Sequence, residues 1–575
     1  MALVKFKNEN ITLEVQPGTK LSECIRIANL SIETPCNCMG LCGKCKVKAL
    51  GELSEPSLEE KAFIKGEKDI RLACLAKVCG DIEVELLNKN TTLKTINRGY
   101  SIEVNVDPEI KKIELNSIKR DSNNPFSEEV GYKVNSTQVL EKIAALERGE
   151  FSNAYGVICG KSLIDIQEKF NDVLGVAVDI GTTGISAYFV NLESGEILNK
   201  VSCLNPQTEY GGDVLTRITF AINNEDGTEI LRHSIVSKIN EIVKELVGKS
   251  YGIENIYKII IAANTTMLHL FAGINPSSIA KAPYRAVFLD KLEIKASELN
   301  IDINREGTIT LLPSASSYVG ADILSGIAAT DFHKKSKDSV FIDIGTNGEI
   351  VAISEGKLVA TSTAAGPALE GMNISCGCRA EEGAIDTFNI DENFNINFTT
   401  IGDRNPKGIC GSGLIDITAS LVERNIVLPS GRFNNKLDER ISSKLKDKRF
   451  YITEDIYLSQ KDIRQIQLAK GAIATGVTML LSEINIVIED IKEVVIAGAF
   501  GYHINPSSIK IIGLIPKGFN GDITFVGNSS VEGARLALIN KEVLNTIESF
   551  KGNIEVLELS TKEKFQEYFV EALGF

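Results

Sequence analysis

The chain has 575 residues, 43% hydrophobic and 24% charged, ordinary usage for a globular protein of several domains. Its net charge of −14 argues against nucleic acid or an anionic membrane as the main partner. No uncharged apolar run reaches the ~18 residues of a spanning helix, and the N-terminus lacks a signal-peptide core. The expected setting is therefore the cytoplasm, with the twelve cysteines read as metal ligands and core thiols rather than a disulfide framework.

Alternating apolar residues predict strands near 3–7 and 11–15, joined through Pro17-Gly18 to an amphipathic helix over 19–30. Leu21, Cys24, Ile25 and Ala28 form the inward face of that helix. Cys36, Cys42 and Cys45 then follow with the spacing C-x5-C-x2-C, and a distant Cys74 sits in Arg-Leu-Ala-Cys. Plant-type [2Fe–2S] ferredoxins show C-x4-C-x2-C with a far fourth thiolate, so this loop is one residue longer at its first gap. Gly40 and Gly43 let it wrap with N–H groups aimed at sulfur. A strand over 80–87 completes a β-grasp ferredoxin module over 1–89. Four thiolates also suit structural zinc, although the second C-x2-C knuckle usual there is missing. Cys38 competes with Cys36 for the first position, and Cys79 is a weaker rival to Cys74. Cys24, Cys79, Cys159 and Cys203 read as small buried side chains.

Residues 90–125 are rich in Asn, Lys, Thr and Ser and read as a linker. A small middle domain over 126–173 is expected to hold two helices. The first runs over 137–148, capped by Ser136 and closed by Gly149, with Val139, Leu140, Ile143 and Leu146 buried. The second lies near 161–170. No chemistry is legible there.

From 174 the chain states one phrase twice. Residues 175–190 and 339–354 are each an apolar run ending in Asp, a turn Ile-Gly-Thr-(Thr/Asn)-Gly, and a second β-rich run. Each predicts a hairpin whose tip turns backbone N–H and hydroxyl groups toward a phosphate chain. The first tip is Gly181, Thr182, Thr183 and Gly184; the second is Gly345, Thr346, Asn347 and Gly348. Asp179 and Asp343 are placed to hold Mg²⁺, directly or through water. Taken singly, each is equally an ordinary Gly-turn hairpin; the repetition makes the phosphate reading the stronger one. The pair resembles the actin, sugar-kinase and heat-shock-chaperone ATPase superfamily, in which two related halves enclose ATP. That resemblance implies a two-lobed ATPase unit over 174–575, and an α/β multidomain chain overall.

Within this unit, a polar loop at 205–213 is either a connector or part of the site. Residues 259–267 form a buried strand ending in small polar residues that face the cleft, and 314–322 has the same character before a helix. His269 reads as a satisfied structural histidine. Cys376 and Cys378 invite a second metal site, and across a dimer they could supply four ligands, but two thiolates alone are a weak signal and core packing is the favoured reading. Gly411, Ser412 and Gly413 open a helix whose free N–H groups favour an anion. Gly498, Ala499, Phe500 and Gly501 end a buried strand, where missing side chains leave room for adenine or ribose. Glu349 and Asp213 are candidates to position the attacking water.

A [2Fe–2S] ferredoxin head on an actin-like ATPase looks like the reductive activators of corrinoid proteins. The resemblance spans essentially the whole chain and rests on Cys36/Cys42/Cys45/Cys74, Asp179–Gly184, Asp343–Gly348, Gly411–Gly413 and Gly498–Gly501. It implies ATP-driven transfer of one electron to an inactive cobalt(II) corrinoid, regenerating cobalt(I) for methyl transfer. A homodimer, a corrinoid protein partner and a low-potential electron donor are implied with it. No cysteine follows Cys410, which excludes the branch with a C-terminal [4Fe–4S] motif. The rival readings are an electron donor to a different low-potential enzyme, or a ferredoxin whose nucleotide domain only regulates it.

Overall fold

The computed structural model describes residues 1–9, 11–28, 30, 32, 40, 43, 45–64, 67, 69–87, 102–115, 125, 128, 131–150, 154–167, 171–498, 504–559 and 562–575. Expectations at Cys36, Cys38, Cys42, Ala499, Phe500 and Gly501 lie outside the described residues.

The N-terminal module is a five-stranded sheet of β1 (Ala2–Phe6), β2 (Ile11–Val15), β3 (Lys46–Leu53), β4 (Ile70–Leu72) and β5 (Val78–Leu86). Its order is β2-β1-β5-β3-β4, with β1 and β5 parallel. Period-two alternation sends Ala2, Val4 and Phe6 inward. The helix Leu21–Ile27 buries Leu21, Cys24 and Ile25 beside them, and Ala28 follows just beyond it, as the sequence predicts. A buried ion pair fastens the helix Leu58–Ile64 to β4. Arg71 Nε donates to Glu60 Oε1 at 2.9 Å, Nη2 to Glu60 Oε2 at 3.1 Å, and the Leu72 N–H also donates to Glu60 at 2.8 Å. Such a pair is tolerated in a small core because the carboxylate's lone pairs are satisfied.

The middle region corrects two expectations. A strand, β6 (Ile110–Glu114), lies inside the span read as linker and pairs with β7 (Tyr155–Cys159), which pairs with β8 (Ser162–Gln167). So 162–167 is a strand, not a helix. Gly160, with φ +56°, makes the tight turn that a hairpin needs, and three apolar residues in so short a run fit either period. The helix Thr137–Glu147 is present with Val139 and Ile143 buried, whereas Leu140 is exposed. Ser136 gives no side-chain cap; its hydroxyl donates to Glu306 instead.

The remaining chain forms two lobes on one plan. In the first, β9 (Leu174–Ile180), β10 (Gly184–Asn191) and β11 (Ile197–Leu204) form an antiparallel meander. β12 (Ile256–Ala263) runs parallel beside β9, and β13 (Leu292–Lys295) and β14 (Thr308–Leu311) follow, in the order β11-β10-β9-β12-β14-β13. The second lobe has the meander β15 (Ser339–Ile344), β16 (Gly348–Ser354) and β17 (Lys357–Thr363). Two small sheets are inserted after it: β18 (Ala384–Ile390), β19 (Ile396–Thr400) and β20 (Gly408–Ile409), then β21 (Leu445–Lys446), β22 (Arg449–Tyr451) and β23 (Tyr457–Ser459). With β24 (Glu493–Ala497), β25 (Asp522–Gly527) and β26 (Ile554–Val556) the main order is β25-β24-β15-β16-β17-β26. Meander, then parallel strand, then parallel strand recurs in both. Every residue of β12 is buried, as a parallel strand covered on both faces requires.

The last long stretch binds the lobes together. The helix Ser529–Ile539 follows β25 of the second lobe yet shares the core of the first, beside the helix Ala321–Ala329. Glycines permit the crossing: a Cβ on Gly533 would stand 2.1 Å from the Ser325 carbonyl oxygen. Among the described residues, no helix is long and apolar enough to cross a membrane.

Candidate functional site

Asp179 and Asp343 occupy equivalent places, one residue before the end of β9 and β15, and the two hairpin tips face each other across a cavity of about 220 Å³. Gly181, Thr182, Thr183 and Gly184 line it from one side and Gly345, Thr346 and Asn347 from the other. The tips touch: Thr183 Oγ1 and Thr346 Oγ1 are 3.4 Å apart. Gly348 instead turns into the core, where a Cβ would stand 2.9 Å from Ile473. Gly411 lines the cavity at the start of the helix Gly411–Glu423. Ser412 and Gly413 do not line it; Gly413 packs so closely on β18 that a Cβ would lie 2.1 Å from the Ile385 oxygen. Gly498 lines the cavity with φ +128°, and a Cβ there would be 2.6 Å from the Ile344 oxygen, so the position admits only glycine.

Five carboxylates line the same space: Asp179, Asp322, Asp343, Glu349 and Glu370. Burial first, and then its acidic neighbours Asp322, Asp179 and Glu370, push the Asp343 carboxyl up to about 8. Asp322 is pushed up to about 7 by burial and by Asp179. Glu349 rises well above the carboxylate range through burial, Asp322 and Asp343. Asp179 and Glu370 are also raised by burial, against opposing hydrogen bonds. Mutually repelling buried acids of this kind make the cavity a candidate site for a cation or a proton-handling reaction. Among the described residues, no three His, Cys, Asp or Glu side chains are grouped to hold a metal ion by themselves.

The polar loop at 205–213 buttresses the first tip. Asn205 is fully buried, its Nδ2 donates to the Gly181 oxygen at 2.8 Å, and its N–H donates to the Thr183 oxygen at 2.9 Å. Arg217, fully buried, donates to the Thr182 oxygen and, at 2.9 Å, to that of Gly211. Asp213 does not reach the cavity. It caps the helix Val214–Asn223, accepting the Thr216 N–H at 2.9 Å. A cap is a local role that any Asp three residues before a Thr can fill, so its candidacy as a water-positioning group is withdrawn.

At the end of β12, Asn264 donates to Thr182 Oγ1 at 3.1 Å and caps the helix Thr265–Phe271. His269 is a satisfied core residue: Nε2 accepts the Val287 N–H at 3.0 Å, which leaves Nδ1 to donate to the Thr265 oxygen at 2.7 Å. Cys376 and Cys378 flank the backbone bridge between Gly377 and Ile409, and Cys376 Sγ donates to the Asp455 oxygen at 3.7 Å. Asp322, Glu370, Arg379, Asn528 and Ser530 line the cavity without having been assigned a role from sequence. The available signal was positional. Asp322 and Ser530 each open a helix after a small-residue turn, the place where such folds bind ligands.

In the N-terminal module, antiparallel pairing of β3 with β4 puts Lys46 opposite Leu72, and the Ala73 N–H donates to the Cys45 oxygen at 2.9 Å. That register brings Cys45 Sγ to 3.2 Å from Cys74 Sγ, both buried and too far apart for a disulfide. Gly40 and Gly43 have positive φ, and a Cβ on Gly43 would meet Phe63 at 2.5 Å. Two converging buried thiols fit an iron–sulfur cluster. Cys79 is exposed, correcting its reading as buried. It stands within β5, where the period-two pleat turns it away from the core. Cys24 is buried, Cys159 is half-buried, and the half-buried Cys203 borders the cavity.

Fold and site together define a two-lobed α/β protein of the actin and sugar-kinase type with a ferredoxin module at its front. Comparison with known proteins bears on each part. Residues 4–79 match the 2Fe-2S iron-sulfur cluster binding domain, 174–335 the RACo middle region, and 337–575 the C-terminal domain of RACo, the ASKHA domain. The corrinoid activation enzyme RamQ of Eubacterium limosum is 30% identical over 97% of this chain and 96% of its own. The [Co(II) methylated amine-specific corrinoid protein] reductase of Methanosarcina barkeri is 24% identical over 70% of this chain and 77% of its own. A solved structure of a reductive activator for corrinoid, iron-sulfur protein superposes with a TM-score of 0.75, at 30% identity, covering 100% of this chain and 98% of that one. The chain belongs to the family of reductive activators of corrinoid proteins.

Proposed function

We propose that this chain uses ATP to pass one electron to the inactive cobalt(II) corrinoid of a partner protein, returning it to cobalt(I) for methyl transfer. The observation that carries the reading is the joining, in one chain, of the Cys45–Cys74 thiol pair with a cavity built from two facing glycine-threonine tips. The [2Fe–2S] cluster, held by Cys36, Cys42, Cys45 and Cys74, supplies a one-electron carrier.

The protein's residues do the rest. The tips at 181–184 and 345–347 offer N–H and hydroxyl groups to the nucleotide phosphates. Asp179 and Asp343 hold Mg²⁺, directly or through water; one or two carboxylates plus phosphate oxygens are the usual set for this ion, so no all-protein cage is needed. Gly498 leaves room for the nucleoside. Gly411 presents a helix N-terminus, behind which Ser412 and Gly413 pack as support. Asp322 and Glu349, buried and raised, are the groups suited to orient the attacking water.

Raising an electron against an unfavourable potential takes about 2.3 kcal/mol per 100 mV. Closure of the cleft on ATP meets that demand if the closed form binds one redox state of the partner more tightly than the other. The same reading has the protein working as a cytoplasmic homodimer supplied by a low-potential donor. The test is the visible spectrum of a cobalt(II) corrinoid protein mixed with reduced activator. A cobalt(I) band that develops with ATP and is absent without it supports the reading. Equal reduction in both overturns the coupling and favours a nucleotide domain that only regulates.

A further inference from the structure

With ATP in this cleft, the charge of its walls becomes a problem. Five carboxylates line it, and among the described lining residues Arg379 is the only Lys or Arg. The backbone holds Arg379 in place. The Cys378 N–H donates to the Ile409 oxygen and the Ile409 N–H to the Cys376 oxygen, each at 2.9 Å, and the Glu381 N–H closes a turn on the Arg379 oxygen at 2.9 Å. The turn that carries Glu370 packs directly on this segment. Gly371 has φ +78°, and a Cβ on it would stand 2.3 Å from the Cys378 oxygen. Glu370 and Arg379 therefore ride on two segments in contact, and the arginine's charge draws the Glu370 carboxyl down against the effect of burial.

Glu370 in turn holds both tips. It accepts from Thr346 Oγ1 at 3.3 Å and also from Thr183, and Gly345 lies so close that a Cβ there would be 3.4 Å from Glu370 Oε1. A phosphate oxygen seeks the same donors as a carboxylate oxygen. We propose that Arg379 grips the terminal phosphate of ATP, and that Glu370 competes with that phosphate for the two threonines and the guanidinium. The pair thereby distinguishes ATP from ADP. In hydrolysis, water attacks the terminal phosphorus, the bond to the β–γ bridging oxygen breaks, and inorganic phosphate, ADP and a proton leave. A forked guanidinium on the transferred group offsets the charge redistributed in that step. The Cys-Gly-Cys-Arg phrase then serves to aim an arginine, not to bind a metal.

The test uses the full-length protein and Mg²⁺ with ATP or ADP. Affinities are measured by titration calorimetry, kcat and KM by phosphate release, and folding by thermal melting. R379A is expected to lose about 100-fold in kcat and its preference for ATP, with ADP binding kept. R379K is expected to recover affinity more than kcat, because an ammonium lacks the fork. E370Q is expected to bind ATP more tightly. Wild-type kcat and ATP preference in a folded R379A overturn the role of Arg379 and leave the ATP reading standing; a wild-type protein that binds no ATP overturns both. If R379A does not fold, R379K decides: an unchanged kcat overturns the proposal, and a lowered kcat with ATP affinity kept supports it. Weaker ATP binding in E370Q overturns the competition.

Discussion

The carboxylate of Asp179 in the first lobe is gripped by Ser530, whose Oγ donates at 2.8 Å, and the neighbouring Asn528 Nδ2 donates at 2.9 Å. Both donors stand where β25 of the second lobe's sheet hands over to the helix Ser529–Ile539. The end of β9, just before the first hairpin tip, is thus held by the far end of the chain. Ser530→Ala removes one of the two bonds that oppose burial at Asp179. A loss of about 1–2 kcal/mol in stability is expected from urea unfolding, with a larger fractional loss of ATP turnover.

Asp343 is the point at which ATP use and electron delivery should separate if they are independent. Asp343→Ala is expected to abolish ATP hydrolysis and ATP-dependent corrinoid reduction together, while the iron–sulfur visible spectrum is kept. Phosphate release and the cobalt spectrum, measured on one sample, check this.

The cluster module offers the converse. Cys74→Ser removes a buried thiol 3.2 Å from Cys45 Sγ. Iron and sulfide content are expected to fall with corrinoid reduction, while nucleotide binding survives, because the thiol pair and the cleft belong to separate cores. Colorimetric iron and sulfide assays with ATP titration decide it.

Gly533 tests the crossing of the two helices. Its missing Cβ would sit 2.1 Å from the backbone oxygen of Ser325, which cannot swing aside as a flexible side chain can. Gly533→Ala is expected to destabilise the protein by about 1–3 kcal/mol despite alanine's better helix propensity. A shift of the denaturant midpoint at unchanged slope reads it.

Lys470 is fully buried on the helix Gln460–Glu483, where burial, with a smaller push from Lys517, pulls its ammonium down to about 8. Its ordinary value governs the unfolded chain. Between about pH 8 and 10.5 the unfolded state therefore binds the extra proton, and stability should rise with pH across that window. Lys470→Met should flatten that rise relative to wild type, as seen in melting temperatures of the two proteins over the same buffers.

The two hairpins, the β-grasp head and the two-lobed plan were legible because each rests on a local pattern. Asp-Ile-Gly-Thr-x-Gly writes a strand, a tight tip and a returning strand into sixteen consecutive residues. The cysteine spacing likewise set Cys45 and Cys74 apart, and the pairing of β3 with β4 brought their sulfurs together. Short segments with few apolar residues were not legible. Residues 162–167 fit a helix or a strand, and only their pairing with β7 chose between them. Asp213 looked chemical and proved to be a cap, since the same side chain serves either purpose.

Sequence alone determined the two Gly-Thr hairpins and the strands that flank them, because each is written in contiguous residues. Tertiary structure alone decided which acids share the cleft, that Glu370 reaches both threonines, that Arg379 lines the same cavity, and that Ser530 returns to Asp179. These residues are brought together by strand order across two lobes. Their proximity is a property of the folded sheets, and spacing along the chain does not encode it.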